Sequence, residues 1–502
     1  DTVRFDTIFS TVPSSTRSFW VHNRSGKGLR CTNVRLEGGN QSGYRVNVDG
    51  VYLSPEQGYK ANDIEVRDKD SIRVFVELTS NVTFADKPKE INDNLVFTLE
   101  SGRQQKVVLN AFSWDAMLLK DVTICKDSTL ASSGKPMVVY GGLTVEEGAT
   151  LTLAAGTTLY FHGNAGMTVK GRLLSKGTEE ANVVLRGDRL DRMFDYLPYD
   201  RVSGQWQGIR FEETSYDNEM TYTDLHGAFN GIVADSSDVS RNKLTLANST
   251  VHNCQGDCVR LVNAKASIVN CQLTNALGHC LAVDGGEVSV QNSTLAQFYP
   301  FDASRGTALY FSATDNPLLA LECRNSLVTG FSDDEMTGVH GGEDNENAFN
   351  YMFYDCVMRT PEAEDEEQKE HFTNVVFEDV KDTVSYGQKH FVKIDGDQQD
   401  YDFHLRKESA AIDKADPETA AKTDRDGRNR DEKPDVGSYE YVGGSDDAGR
   451  DRTDSAAAGA AAEHRTGTRA NRRAAEHHAR TACAGKGIKL ITTPHFDLSK
   501  KN

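Results

Sequence analysis

Asn248-Ser-Thr-Val251, Asn270-Cys-Gln-Leu273, Asn292-Ser-Thr-Leu295, Asn325-Ser-Leu-Val328 and Asp355-Cys-Val-Met358 are five copies of one short pattern. Each opens on an amide or carboxyl residue, continues with Ser or Cys, and reaches an apolar residue three places on. The copies start 22, 22, 33 and 30 residues apart. A basal period of 22 with insertions is the mark of a solenoid. The apolar runs are short and bounded by Gly, Asn or Asp, so the winding is of β type, not helical. One coil lifts the chain by about 4.8 Å. Val251, Leu273, Leu295, Val328 and Met358 are therefore expected to stack as one interior ladder. Asn248, Asn270, Asn292 and Asn325 are expected to stack at a corner, each amide bonding the next coil and satisfying groups a turn leaves unpaired.

Outward from this stretch, the same style begins near residue 137. Short runs at 137–140, 143–145, 150–153, 158–161 and 167–169 are separated by Gly141-Gly and Glu146-Glu-Gly. At this period residues 137–441 accommodate about nine to eleven coils with a closing segment. Residues 1–115 read differently. Alternating runs at 3–9, 17–22, 44–48, 72–78, 95–99 and 106–112 lie between turn sequences such as Gly38-Gly-Asn and Asn92-Asp-Asn. That spacing predicts a small immunoglobulin-like β-sandwich. Residues 116–136 read as a connector. Residues 442–502 form a basic Ala/Arg-rich tail, expected to be disordered. The fold class is thus all-β, with a sandwich followed by a parallel β-helix. Two acidic excursions, 331–350 and 361–370, interrupt the repeat and read as solvated loops.

Composition narrows the function classes. The 502 residues carry 56 Lys+Arg against 75 Asp+Glu, a net charge of −19. That balance argues against nucleic acid, whose phosphates require a basic face. No apolar run approaches the roughly 20 residues of a membrane helix. The nine cysteines are odd in number and lack metal spacing, so they read as small buried hydrophobes. The chain opens at Asp1 without Met, and an upstream segment removed on export is the expectation.

The stretch from Asp1 to Val12, Tyr44-Arg-Val-Asn-Val-Asp-Gly50 and Leu109-Asn-Ala-Phe112 resembles the N-terminal immunoglobulin-like module of exported Bacteroidetes lipoproteins. Val138-Val-Tyr-Gly141, Leu159-Tyr-Phe-His162 and Gly204-Gln-Trp-Gln-Gly-Ile209 resemble early coils of right-handed parallel β-helix proteins of that group. Asp402-Phe-His-Leu405, Ser409-Ala-Ala-Ile-Asp413, Asp426-Gly-Arg-Asn-Arg430 and Asp435-Val-Gly-Ser-Tyr-Glu440 look like the segment that closes such helices. The resemblance implies a surface-exposed lipoprotein of the outer membrane, anchored through a lipidated Cys upstream of Asp1.

Chemistry is sparser. Gly256-Asp-Cys258 and Gly278-His-Cys280 stand 22 residues apart, placing Asp257 and His279 on adjacent coils in a pattern similar to polygalacturonase motifs. The second Asp of that pattern is missing, with Cys258 in its place. A hydrolase needs paired carboxylates. A lyase needs a base such as Lys243, Arg260 or Lys265 and a neutralised uronate. Asp424 and Asp426, in Asp424-Arg-Asp-Gly-Arg, are candidate calcium ligands, although arginines interrupt the loop. Trp206 and Tyr299, the latter in Phe298-Tyr-Pro-Phe301, are candidate sugar-stacking rings. Nucleophile-elbow, P-loop and dinucleotide motifs are absent from the sequence. The reading that follows is a non-catalytic binding or scaffolding component for a surface protein or glycan. A polysaccharide lyase or glycoside hydrolase is the alternative.

Overall fold

The computed structural model describes residues 1–342 and 344–443. The tail expectation at 444–502 lies outside the described residues. The described chain is all-β apart from a four-residue helix, Glu366–Lys369, and three 3-10 turns. It divides into two compact units, one holding residues 1–117 and 189–199, the other 118–188 and 200 onward.

The first unit contains two mainly antiparallel sheets. Thr2–Phe9, Gln104–Trp114, Lys89–Leu99, Leu29–Leu36 and Lys60–Val66 form one. Arg17–His22, Ser71–Leu78, Tyr44–Val48 and Val51–Tyr52 form the other. Strand alternation supplies the core: Ile72, Val74, Val76 and Leu78 point inward while Arg73, Phe75 and Glu77 point out. They meet Phe5, Val34, Tyr44, Val46, Leu95 and Leu109 in a single apolar cluster. Thr2–Phe9 pairs parallel to Gln104–Trp114, with a register shift between Arg4 and Thr7.

The second unit is built on a 26-stranded sheet whose coil-to-coil pairings are parallel, an arrangement consistent with a β-helix. Each coil contributes to three ladders. Two of them have ten rungs each, one from Ser128–Leu130 to Phe372–Thr373 and one from Met137–Val145 to Val376–Phe377. The sheet begins before residue 137, because Met117–Ile124 pairs with Met137–Val145 and Ser128–Leu130 with Thr150–Leu153. The stretch read as a connector therefore supplies the first rungs.

The repeat unit stacks in register. Val251 pairs with Leu273, Leu273 with Leu295, Leu295 with Val328, and Val328 with Met358. All five are at most 1% exposed. The corner residues Asn248, Asn270, Asn292, Asn325 and Asp355 share a left-handed backbone, with φ between 44° and 52°. Asn and Asp enter that region more readily than other residues bearing a Cβ, which explains the choice. The Ser/Cys position is equally specific. Ser249, Ser293 and Ser326 donate to the carbonyl two residues back at 2.8–2.9 Å, and Cys271 and Cys356 do so at 3.2 Å. The hydroxyls also accept an N–H from an adjacent coil, Cys271 N to Ser293 Oγ for example.

The expected amide-to-amide ladder is only partly formed. Asn270 Nδ2 donates to Asn248 Oδ1 at 3.1 Å. Asn292 and Asn325 turn instead to the closing segment, accepting from Ala421 N and Asp416 N, both at 2.8 Å. That segment carries the hairpin Phe391–Asp395/Asp400–Leu405. Its Phe391, Phe403, Leu405, Ala411 and Val436 pack on Ala296, Phe298, Leu327 and Val357 of the ladder. Cys31, Cys254, Cys258, Cys271, Cys280, Cys323 and Cys356 are buried. No helix among the described residues is long and apolar enough to cross a membrane. Of the two acidic excursions, 361–370 is almost wholly exposed, but 331–350 is not simply a solvated loop. Met336–Val339 joins the sheet and Glu335 is fully buried.

Candidate functional site

One outer surface of the parallel sheet carries the strands Ile209–Phe211, Ile232–Ala234, Val259–Val269, Leu281–Gln291, Leu309–Ser312 and Met336–Val339 in successive register. Asp257 and His279 meet here. Asp257 Oδ1 accepts the His279 backbone N–H at 2.7 Å, and Asp257 Oδ2 lies 3.2 Å from Arg260 Nη1. Arg260 Nη2 reaches Asp284 Oδ2 at 2.5 Å. The His279 ring stacks on Tyr310, and its Nδ1 accepts the Thr307 N–H at 3.0 Å. Burial lowers the His279 pKa against the pull of Asp257. Burial raises that of Asp284, and Arg260 only partly offsets it. The carboxylates are held apart by a guanidinium, and the imidazole acceptor is occupied by backbone. That arrangement positions a surface turn and leaves neither a free acid nor a free base.

A second place combines apolar rings with polar groups in open space. The insertion 298–308 and the turn after Leu327–Gly330 face the hairpin around Phe391–Asp395. Tyr299, Pro300, Arg305 and Phe331 line one side of a cleft of about 720 Å³, and Gln388, Lys393, Asp395 and Asp397 line the other. Tyr299 is itself mostly covered and packs edge-on to Phe301, which is 58% exposed. Phe331 is 41% exposed, with the Arg305 guanidinium 5.3 Å from its ring centre. Glu335 braces this wall. Its Oε1 accepts the Ser332 N–H at 2.7 Å and its Oε2 the Ala308 N–H at 3.0 Å. It thereby ties the turn bearing Phe331 to the insertion bearing Tyr299 and Arg305. Burial lifts its pKa to about 7.

The remaining expected residues fall elsewhere. Trp206 is fully buried, stacked on Phe161 at 4.1 Å, with its Nε1–H donated to His226 O. It offers no ring face to a sugar, because its position in the coil points inward. Asp424 is fully buried, and its carboxylate accepts the N–H groups of Asp426, Arg428 and Glu440 at 2.9–3.1 Å. Asp426 accepts from His404 Nε2 at 3.0 Å and lies 3.4 Å from Arg428. These oxygens organise the closing loop instead of facing a shared cation position. Lys243 is buried with its ammonium on the Glu212 carbonyl, and Lys265 pairs with Glu287. Both belong to a different ladder from Arg260, so the three basic residues converge on no common point.

Two clusters escaped the sequence reading. Ser409, His390 and Glu378 form a row with His390 Nδ1 to Ser409 Oγ at 2.7 Å and Nε2 to Glu378 Oε1 at 3.0 Å. A hydrolase uses the opposite ring nitrogens for the nucleophile and the acid, and here every member is buried. The second comprises Asp224, His226 and His252, with Asp200 beside it. His226 and His252 are 26 residues apart, a spacing that hides their register because an inserted turn lengthens that coil. The cleft residues Arg305, Phe331, Lys393, Asp395 and Asp397 come from three separate segments, and only Tyr299 was marked in advance.

No protein-family model and no curated protein matches the chain. Among solved structures, a family 123 glycoside hydrolase from Clostridium perfringens aligns at 7% identity and a TM-score of 0.17. The alignment covers 24% of this chain and 25% of that one, so the chain spans about a quarter of its length. The catalytic unit of a GH87 alpha-1,3-glucanase from Streptomyces thermodiastaticus aligns at 10% identity and a TM-score of 0.12, covering 66% of this chain and 89% of that one. At such scores neither carries an argument about activity.

Proposed function

We propose that the chain is a non-catalytic binding protein that engages a glycan in the Tyr299–Phe331–Asp397 cleft. The proposal takes the parallel sheet as a right-handed β-helix preceded by an immunoglobulin-like module, held at an outer-membrane surface by a lipid anchor upstream of Asp1. The observation that carries the binding role is the cleft itself. A partly exposed ring, Phe331, faces polar side chains across open space of about 720 Å³. A pyranose presents an apolar face of C–H groups to such a ring and hydroxyls to carboxylates, amides and cations. Arg305 and Lys393 balance Asp395 and Asp397 in charge, which favours a neutral sugar over a polyanion.

The test is a titration of the purified protein with a panel of neutral oligosaccharides. Phe331→Ala is expected to weaken binding about tenfold or more, the size of a lost aromatic anchor, with a modest fall in melting temperature from its lost edge contact with Phe298. The same panel is expected to yield no unsaturated or new reducing ends. Unsaturated ends would favour the lyase alternative and saturated new reducing ends the hydrolase, whose candidate residues are Asp257 and His279. Absence of saturable binding to any sugar would remove the glycan reading.

A further inference from the structure

The strand Thr223–His226 lies beside Thr250–Cys254 with His226 opposite His252. Asp224 precedes His226 by two residues, so both project from one face of the sheet. The donor atoms of Asp224, His226 and His252 all lie within 4.8 Å of one another. Asp224 Oδ1 is 2.8 Å from His226 Nδ1 and 3.3 Å from His252 Nε2. In a tetrahedral zinc site with bonds near 2.0–2.1 Å, neighbouring donor atoms stand about 3.3 Å apart. The carboxylate–His252 edge already has that length, and the carboxylate–His226 edge needs to open by about half an ångström.

A second, separate contact bears on the same histidine. Asp200 Oδ1 meets His226 Nε2 at 2.8 Å, and Arg186 Nη1 meets the same oxygen at 2.7 Å. A carboxylate on the far nitrogen fixes the tautomer of a metal-bound imidazole and aims its other nitrogen at the ion. His226 is buried, whereas the side chains of His252 and Asp224 are 25% and 33% exposed. The three donors thus converge from the protein side and leave one side open to solvent. Two imidazoles with one carboxylate suit a first-row transition ion and suit calcium or magnesium poorly.

We propose that Asp224, His226 and His252 bind one divalent transition-metal ion, Zn²⁺ by preference, with Asp200 orienting His226 and the fourth position open to water or a ligand oxygen. On binding, the proton shared between His226 Nδ1 and Asp224 leaves for solvent. The site is independent of the glycan cleft.

The full chain, stripped with EDTA, is titrated with Zn²⁺ in competition with a chromogenic chelator. The sequence also carries His464, His477 and His478, so the diagnostic quantity is the difference made by single substitutions. His252→Ala is expected to lose one equivalent of Zn²⁺, and Asp200→Asn to weaken that equivalent about 10–100-fold. Zn²⁺ is expected to raise the melting temperature of the unmodified chain and not that of His252→Ala. A His252→Ala titration superimposable on that of the unmodified chain would overturn the proposal. Should the variants fail to fold, Co²⁺ added to the unmodified chain decides. Intense visible bands of a four-coordinate N/O site support the assignment, and only the weak bands of hydrated or six-coordinate cobalt refute it.

Discussion

Along the corner from Asn248 to Asp355, every coil spends one left-handed residue and one small hydroxyl or thiol on its own turn. In the closing loop a single carboxylate, Asp424, serves three backbone N–H groups, while Glu440 holds Arg430 and accepts from Asp431 N and Asp435 N. Both regions bury turns whose polar groups require partners. The first distributes the task over identical, locally satisfied units. The second concentrates it on two carboxylates at either end of one short loop. A distributed solution degrades by increments, whereas a concentrated one fails together, because a buried donor left unpaired costs more than a hydrogen bond gains.

Removing the hub of the concentrated region should have the largest effect. Asp424→Ala leaves three buried backbone N–H groups without their acceptor, and a loss of roughly 4 kcal/mol is expected from denaturant midpoints. A loss under about 1 kcal/mol would show that the loop tolerates rearrangement. Leu273→Ala, in the middle of the interior ladder, opens a cavity between Val251 and Leu295. It should cost roughly 3 kcal/mol by the same measurement.

Asn270 sharpens the contrast further. Asn270→Ala forces a Cβ residue to keep φ near 52° without an amide, at a cost of roughly 2 kcal/mol, of which Asn270→Gly should recover about 1. Equal losses for the two would mean that the amide bonds matter and the backbone conformation does not.

A pH dependence rooted in the charged region probes the same contrast by another route. Burial opposes charging of His404, but hydrogen bonds to Asp402 and Asp426 outweigh it and lift its pKa to about 9. A group that binds its proton more tightly when folded stabilises the fold fully below its unfolded pKa, near 6.5. That contribution is lost as the pH rises through the folded value. The melting temperature should therefore fall between about pH 6.5 and 9, and His404→Gln should flatten that slope. An unchanged slope would mean that the carboxylates do not hold the imidazolium.

The ladder residues were legible because periodicity survives insertion. Asn248, Asn270, Asn292 and Asn325 announce a turn conformation through side-chain chemistry, and the apolar residue three places on announces the interior. The strands Leu29–Leu36 and Lys60–Val66 were missed because charged and amide residues break their apolar runs. Trp206 was misplaced because a ring beside glycines reads as a surface feature until the coil direction is known. The partners of Asn292 and Asn325, the cleft wall from Lys393 to Asp397 and the pairing of His226 with His252 depend on contacts across non-periodic insertions. No spacing in the sequence reports those.

The corner amides carry one more consequence. Asn270, Asn292 and Asn325 find part of their bonding at Thr423, Ala421 and Asp416, between 91 and 153 residues later. A ribosome delivers the coils long before it delivers those carbonyls and amides. During that interval the nascent solenoid presents a seam of unfinished corners to water and to chaperones, and it seals only when the last part of the described chain emerges and lies down along it.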